Sequence, residues 1–117
     1  RLATLVRDWS ASDDPLVLRA AAAAICEPRL LRTPEMVAVA VEVCERSTAT
    51  LVAMPAGRRR DDDVRALRKG LGYCWSVAVA ADPQAGLPVF SALDASPDPD
   101  VAWIVRENRK KKRLAGL

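Results

Sequence analysis

Apolar residues recur along this chain at the three- and four-residue spacings of an amphipathic α-helix, and no segment alternates as a half-buried strand does. The pattern predicts an all-α fold of about six helices in three antiparallel pairs. The predicted helices are residues 2–10, 15–26, 34–54, 62–81, 87–95 and 99–114. Because Pro88 would kink a helix that began at Pro83, the fifth helix is predicted to begin only near Leu87.

The start of the second helix repeats in each predicted pair. An Asp followed three residues later by a Val opens the apolar run at Asp14, Asp61 and Asp98, at intervals of 47 and 37 residues. An Asp in this place accepts a hydrogen bond from a free backbone N–H of the first turn. A helix start repeated at this interval is typical of a helical solenoid, so we expect the second helices to share one surface.

The apolar positions also predict which side of each helix is buried. The core stripes are Val17, Ala20, Ala21 and Ala24 on the second helix; Met36, Ala40, Val43, Ser47, Leu51 and Met54 on the third; Val64, Leu67, Leu71, Trp75 and Ala78 on the fourth; and Val101, Ile104, Val105 and Asn108 on the last. A buried Asn needs hydrogen-bond partners, and we predict that Asn108 binds backbone groups in the turn between repeats.

Two glycines and a tryptophan lie at positions that the core stripes leave unexplained. Gly70 and Gly72 each cost roughly 1 kcal/mol relative to Ala inside a helix, so they predict the close approach of another helix, with a ligand as the alternative. Trp103 lies off the core face of its helix. We expect it to pack on a neighbouring helix, and exposure for a partner is the alternative.

Length and composition are those of one domain over residues 1–117. The chain begins at Arg1 rather than Met and is predicted to be helical almost at once, so we expect it to be a fragment of, or truncated from, a longer chain. Cys26, Cys44 and Cys74 fall among apolar residues without metal-site spacing, which indicates reduced core thiols in a cytoplasmic protein. No apolar stretch reaches the ~20 residues of a membrane span.

Residue types limit the chemistry that this chain can carry. The absence of His removes imidazole bases, His metal ligands and Ser-His-Asp arrangements, and no phosphate-loop motif occurs. We predict no cofactor and no metal. The run Asp61–Asp63 is of a kind that could hold a divalent cation, but its position at a helix start after Arg58–Arg60 favours capping and solubility.

Basic side chains are the one feature that suggests a binding mechanism. If the second helices stack, Lys and Arg side chains of these helices would form a positive strip that neutralises phosphates by counterion release, although such charges are also common on solvated faces. On the last helix four basic residues fall within about 100° of one another, away from the core face. The candidate binding residues are Arg19, Arg65, Lys69, Arg106, Arg109, Lys110 and Arg113.

The Asp-x-x-Val starts, with Arg19 and Arg65 close behind them, resemble HEAT and armadillo-like repeats. That resemblance covers nearly the whole chain and implies a right-handed α-α superhelix whose second helices line the concave side. Two segments, Trp9–Ala21 and Val64–Trp75, also resemble the DNA-alkylation-repeat family, which comprises HEAT-like glycosylases and their inactive relatives. That family's catalytic Asp and paired aromatics have no assigned counterparts here.

Two functions follow as expectations. The first is a non-catalytic scaffold that binds a partner, most simply another protein, on its concave face. The alternative is a DNA-binding protein of the alkylation-repeat kind, either a repair glycosylase or an inactive relative, which would contact nucleic acid through the basic strip. No membrane partner is predicted.

Overall fold

Six α-helices build the chain in the computed structural model, which describes residues 1–117 and contains no β-strand. They are α1 (Leu2–Ser10), α2 (Pro15–Ile25), α3 (Pro34–Ala53), α4 (Asp62–Ala81), α5 (Pro83–Ser91) and α6 (Pro99–Arg109). Short 3-10 turns lie at Pro28–Leu30, Ala56–Arg58, Ala92–Ala95 and Lys112–Leu114. The all-α prediction is confirmed, and the bounds of the first four helices agree with the sequence pattern to within one residue.

Capping side chains explain where the helices begin. Asp14, Thr33 and Asp98 each accept a hydrogen bond from a first-turn backbone N–H, at 2.9, 3.2 and 2.9 Å. Asp61 occupies the same position before α4, but its carboxylate accepts instead from the Nε of Arg58 at 2.8 Å. The three repeated Asp residues therefore all stand at helix starts, and two of them cap through the side chain.

The helices pack in two layers around α4. One layer contains α2, α4 and α6, in which α4 contacts both of its neighbours. The other contains α1, α3 and α5, in which α3 contacts the outer two. The expectation that the second helices share one surface is therefore met by the packing of α2, α4 and α6.

Trp75 is the largest fully buried side chain and lies in the second half of α4. Its ring centroid is 5.7 Å from that of Phe90, and its Nε1–H donates to the Thr48 hydroxyl oxygen at 3.0 Å. The predicted core stripe of α4 is buried throughout, and that of α3 is buried except for the half-buried Met36 and Met54. Positions outside the stripes are buried as well, such as Val39 on α3 and Val79 on α4, because neighbouring helices cover more than one side of each.

The predicted stripe of α2 is correct only at Ala21, since Val17 and Ala24 are half-buried. The buried side chains are Leu18, Ala21, Ala22 and Ile25, whereas Ala20 is exposed. Because nearly every residue of α2 is apolar, its pattern carries little information about which side faces the core, and the packing against α4 decides it.

Helix α5 begins at Pro83 and not near Leu87, which corrects the prediction. Pro88 lies inside the helix and cannot donate a hydrogen bond to the carbonyl of Gln84. Both Gln84 and Pro88 are exposed, so water can solvate the freed carbonyl. Gly86 is buried against α4, and a Cβ there would lie only 2.9 Å from the Cα of Val79. The absence of a side chain therefore lets α5 lie directly on α4.

Helix α6 ends at Arg109 rather than at residue 114, a second correction. In a continued helix Leu114 would point about 130° away from the core face that Ile104 and Val105 define. The chain instead turns after Lys110, and the 3-10 turn Lys112–Leu114 buries Leu114 against the rest of the core.

Close helix contact accounts for Gly72, as the sequence predicted. A Cβ there would lie 2.8 Å from Cζ3 of Trp103, so the tryptophan of α6 packs directly on the backbone of α4. Trp103 is half-buried, which favours packing over full exposure. Gly70 faces a looser contact, since its Cβ would lie 3.4 Å from the Cγ of Arg19.

Asn108 is fully buried and joins α6 to α4, which corrects its predicted place in a turn. Its Oδ1 accepts from the backbone N–H of Ser76 at 2.8 Å, and its Nδ2 donates to the carbonyls of Leu71 at 2.9 Å and Ile104 at 2.7 Å. The prediction that it binds backbone groups is confirmed, but those groups belong to two helices and hold them together.

Candidate functional site

Two clefts open on the layer of α2, α4 and α6, one on each side of α4. The cleft between α4 and α6 has a volume of about 470 Å³, and that between α2 and α4 about 370 Å³. Lys69 and Tyr73 line both clefts and therefore join them. We call this surface the cationic face and define it by Arg19, Arg65, Arg68, Lys69, Tyr73, Trp103 and Lys111.

Most of the positive charge on the cationic face is unpaired. Arg19, Arg65, Lys69 and Lys111 form no ion pair within 4.0 Å. Three acidic residues also line the clefts, namely Asp62, Glu27 and Glu107.

Two of these acids already have partners. Glu27 lies 3.9 Å from Arg29, and Glu107 accepts from Lys110 at 2.8 Å. The hydrogen bond from Lys110 holds the pKa of Glu107 below its usual range, so this carboxylate stays charged and engaged with that cation. The cationic face therefore carries a surplus of free positive charge, with only Asp62 as an unpaired acid.

Arg68 and Trp103 form the wall of the larger cleft. The guanidinium carbon of Arg68 lies 3.9 Å from the centroid of the Trp103 ring, and its Nε donates to Asp100 at 2.8 Å. Trp103 in turn rests on Gly72. The stack of cation, ring and backbone holds both side chains in place, because each is contacted from two sides.

A partly buried ion-pair network anchors this wall to the preceding loop. Arg59 donates to Asp98 at 2.9 Å and to Asp100 at 2.7 Å, and Asp100 also binds Arg68. The hydrogen bonds from Arg59 lower the pKa of Asp98 from its usual range. The network ties the loop before α4 to the start of α6 and positions Arg68 over the cleft.

Tyr73 is the exposed aromatic of the face, with 45% of its surface accessible. The Nζ of Lys111 lies 5.8 Å from its ring centroid, and the guanidinium carbon of Arg113 lies 5.0 Å from it. Lys69 precedes it by one helical turn. The ring therefore lies among three cations at the point where the two clefts meet.

The structure brings together only part of the predicted basic set. Arg19, Arg65 and Lys69 share the cationic face, and Arg113 lies beside it over the Tyr73 ring. Arg106 and Arg109 line a different cleft, beside the 3-10 turn Ala92–Ala95.

Two of the predicted basic residues are engaged by acids instead. Arg109 binds Asp94 with both guanidinium nitrogens, at 2.9 and 2.7 Å, and Lys110 binds Glu107. The predicted basic arc on α6 is therefore split. The helix ends before Arg113, and Arg109 and Lys110 are paired with neighbouring acidic residues.

Sequence reasoning missed Arg68, Tyr73 and Lys111 as parts of this face. Tyr73 was detectable, because Arg65, Lys69 and Tyr73 follow one another at four-residue intervals on one side of α4. Nothing in the sequence indicates Lys111, since it lies after the end of α6 and is placed by the turn that buries Leu114.

The three cysteines meet beneath the smaller cleft, where Cys26 and Cys74 contribute to its lining. All are buried free thiols, and the sulfurs of Cys26 and Cys44 lie 3.7 Å apart. A hydrogen bond with Cys44 raises the pKa of Cys26, and a hydrogen bond with Cys26 together with burial raises that of Cys74. Since the thiolate is the reactive form, these cysteines are protected nucleophiles.

We therefore expect the native protein to react with a disulfide reagent such as Ellman's at least about a hundredfold more slowly than the unfolded chain. The absorbance of the released thiolate, followed with and without guanidinium chloride, measures this difference. The unfolded chain should release three equivalents, one for each thiol. Rapid labelling of the native protein would contradict the burial of the three thiols.

No group of three or more Cys, Asp or Glu side chains is arranged to hold a metal ion. The carboxylates of Asp61 and Asp63 both bind Arg58, at 2.8 Å each. No helix combines the length and the apolar character that a transmembrane span requires. The cationic face presents unpaired positive charge beside an exposed aromatic ring.

Comparison with known proteins adds no relative. No protein-family model, no curated protein and no solved structure matches this chain.

Proposed function

We propose that this chain is a non-catalytic helical-repeat domain of the HEAT type, a right-handed superhelix, that binds an anionic partner on its cationic face. The observation that carries the proposal is the set of four unpaired cations along two joined clefts. Free cations on one continuous surface attract a polyanion by releasing its counterions, without specific base or side-chain recognition. A cytoplasmic location belongs to the same proposal and is supported by the free thiols.

Two anionic partners fit this description. One is a protein that presents an acidic segment, and the other is a nucleic acid that presents phosphates. Both would span the cleft pair and would contact Arg19, Lys69 and Lys111 in turn. The repair-glycosylase function that the weaker resemblance implies is a separate prediction, and release of an alkylated base from DNA tests it.

Reversing one central charge tests the proposal. Lys69→Glu is expected to weaken binding to heparin, a model polyanion, roughly tenfold at about 50 mM salt, because Lys69 lines both clefts. Titration by fluorescence anisotropy at about 50 and 200 mM salt measures the affinity and its salt dependence. The native protein should lose affinity steeply between the two salt concentrations.

Arg106→Glu is the matched control. It makes the same change in net charge on an exposed helical residue, but Arg106 lies outside the cationic face. We expect its effect on heparin affinity to be less than about twofold. Equal losses of heparin affinity in the two variants would show that only net charge matters. The assignment of binding to the cationic face would then be wrong.

A further inference from the structure

We infer that the anionic partner is a single-stranded nucleic acid, whose bases stack on Tyr73 while its phosphates bind the cations on either side. This inference rests on the proposed function, because it names the partner of the same cationic face. It adds a residue, Tyr73, that charge attraction alone does not require.

Tyr73 is the observation that separates nucleic acid from an acidic peptide. An acidic segment needs cations only, whereas this face places an exposed phenol ring where its two clefts join. Every nucleobase has a π-face that can stack on such a ring, and stacking beside a positive groove is how single strands bind without sequence preference. Glu and Asp side chains offer no comparable surface.

The cations around Tyr73 are placed to follow a strand that passes over it. Lys111 and Arg113 lie over the ring, at 5.8 and 5.0 Å from its centroid. A base that stacks on the ring would displace these two side chains, and their charges would then bind the phosphates next to that base. Arg19 lies in the cleft on one side of α4 and Arg65 in the cleft on the other. Packed helices have axes roughly 10 Å apart, so the axes of α2 and α6, on either side of α4, lie roughly 20 Å apart.

A duplex fits this arrangement less well than a single strand. Its bases are stacked on one another, so none offers a free face to Tyr73 without unstacking, which costs energy. The other aromatic wall, Trp103, packs on Gly72 and lies under the guanidinium of Arg68, so it shapes the cleft rather than offering a second open ring. One exposed ring between two clefts suits a flexible strand that can turn a base outwards.

The experiment compares three probes on four proteins. The probes are a labelled oligothymidylate, a mixed-sequence DNA duplex of equal length and polyglutamate. The proteins are the native chain and its Tyr73→Ala, Tyr73→Phe and Lys69→Glu variants. Tyr73 is exposed, so its substitution leaves the core intact, and a circular dichroism melting curve for each variant verifies folding.

We expect oligothymidylate to bind the native protein more tightly than either other probe. Tyr73→Ala should weaken its binding roughly tenfold or more, whereas Tyr73→Phe, which keeps the ring, should stay within about twofold of the native protein. Binding of polyglutamate should fall with Lys69→Glu and should not respond to Tyr73→Ala.

The outcomes distinguish the two proposals. If all three probes bind in a salt-dependent manner and Tyr73→Ala changes none of them, the cationic face is a general polyanion site and the stacking inference is overturned. Tighter binding of the duplex or of polyglutamate overturns it as well. If no probe binds at low salt, the proposed function fails together with the inference.

Discussion

Trp75→Ala is expected to lower the free energy of unfolding by about 4 kcal/mol. Trp75 is fully buried, packs on Phe90 and donates a hydrogen bond to Thr48, so the substitution leaves a large cavity and removes a buried polar contact. Domains are typically stable by about 5–15 kcal/mol, so this loss removes between roughly a quarter and four-fifths of a typical stability. Urea titration followed by far-ultraviolet circular dichroism measures it.

Trp75→Phe is the control that separates packing from hydrogen bonding. It keeps an aromatic ring against Phe90 but removes the Nε1–H donor, and we expect a loss of about 2 kcal/mol. Thr48 keeps one partner in this variant because its hydroxyl also donates to the carbonyl of Cys44 at 2.7 Å. A Trp75→Ala variant within about 1 kcal/mol of the native protein would contradict the central position of this side chain.

Asn108→Ala is expected to cost about 3 kcal/mol of unfolding free energy, the second-largest effect. The amide of Asn108 fills a buried position where it binds the backbone N–H of Ser76 and the carbonyls of Leu71 and Ile104. Alanine leaves these groups without their side-chain partner inside the core. The same denaturant titration measures the loss, and a neutral substitution would show that the amide is dispensable for joining α4 to α6.

Asn108→Asp sharpens the test through its pH dependence. An ionised carboxylate would replace the Nδ2 donor with an oxygen facing two carbonyl oxygens, so the folded-state pKa of the new group should lie above the ~3.9 of an unfolded Asp. The neutral acid can donate one hydrogen bond, which favours the folded state at low pH. The deficit in unfolding free energy relative to the native protein should therefore be largest near pH 7 and shrink as the pH falls towards about 4. A deficit that does not change with pH would contradict this geometry.

The two errors in helix bounds have local causes that periodicity does not contain. Pro88 is tolerated inside α5 because the carbonyl that it leaves free is exposed to water. Helix α6 ends at Arg109 because Leu114 reaches the core only through a turn. In both cases the tertiary surroundings of the segment set where the helix begins or ends. The residues of the segment alone predict a different boundary.

The candidate site shows the same division. The sequence identified Arg19, Arg65 and Lys69, since the repeated Asp residues mark the helices that carry them and these helices pack in one layer. It also grouped Arg106 and Arg109 with them, because a basic arc on one helix looks continuous. Asp94, on the 3-10 turn before α6, binds Arg109 at 2.7 Å, and no helical pattern could have predicted that contact.

By itself the sequence determined the helical class, the helix starts at Asp14, Asp61 and Asp98, and the buried side of α4, because capping and amphipathic spacing act within one or two turns. Only the tertiary structure decided which side of α2 faces the core, where Asn108 finds its partners, and which cations surround Tyr73. Those features depend on contacts between residues far apart along the chain. Their energies depend on how the helices pack against one another, which a local pattern does not encode.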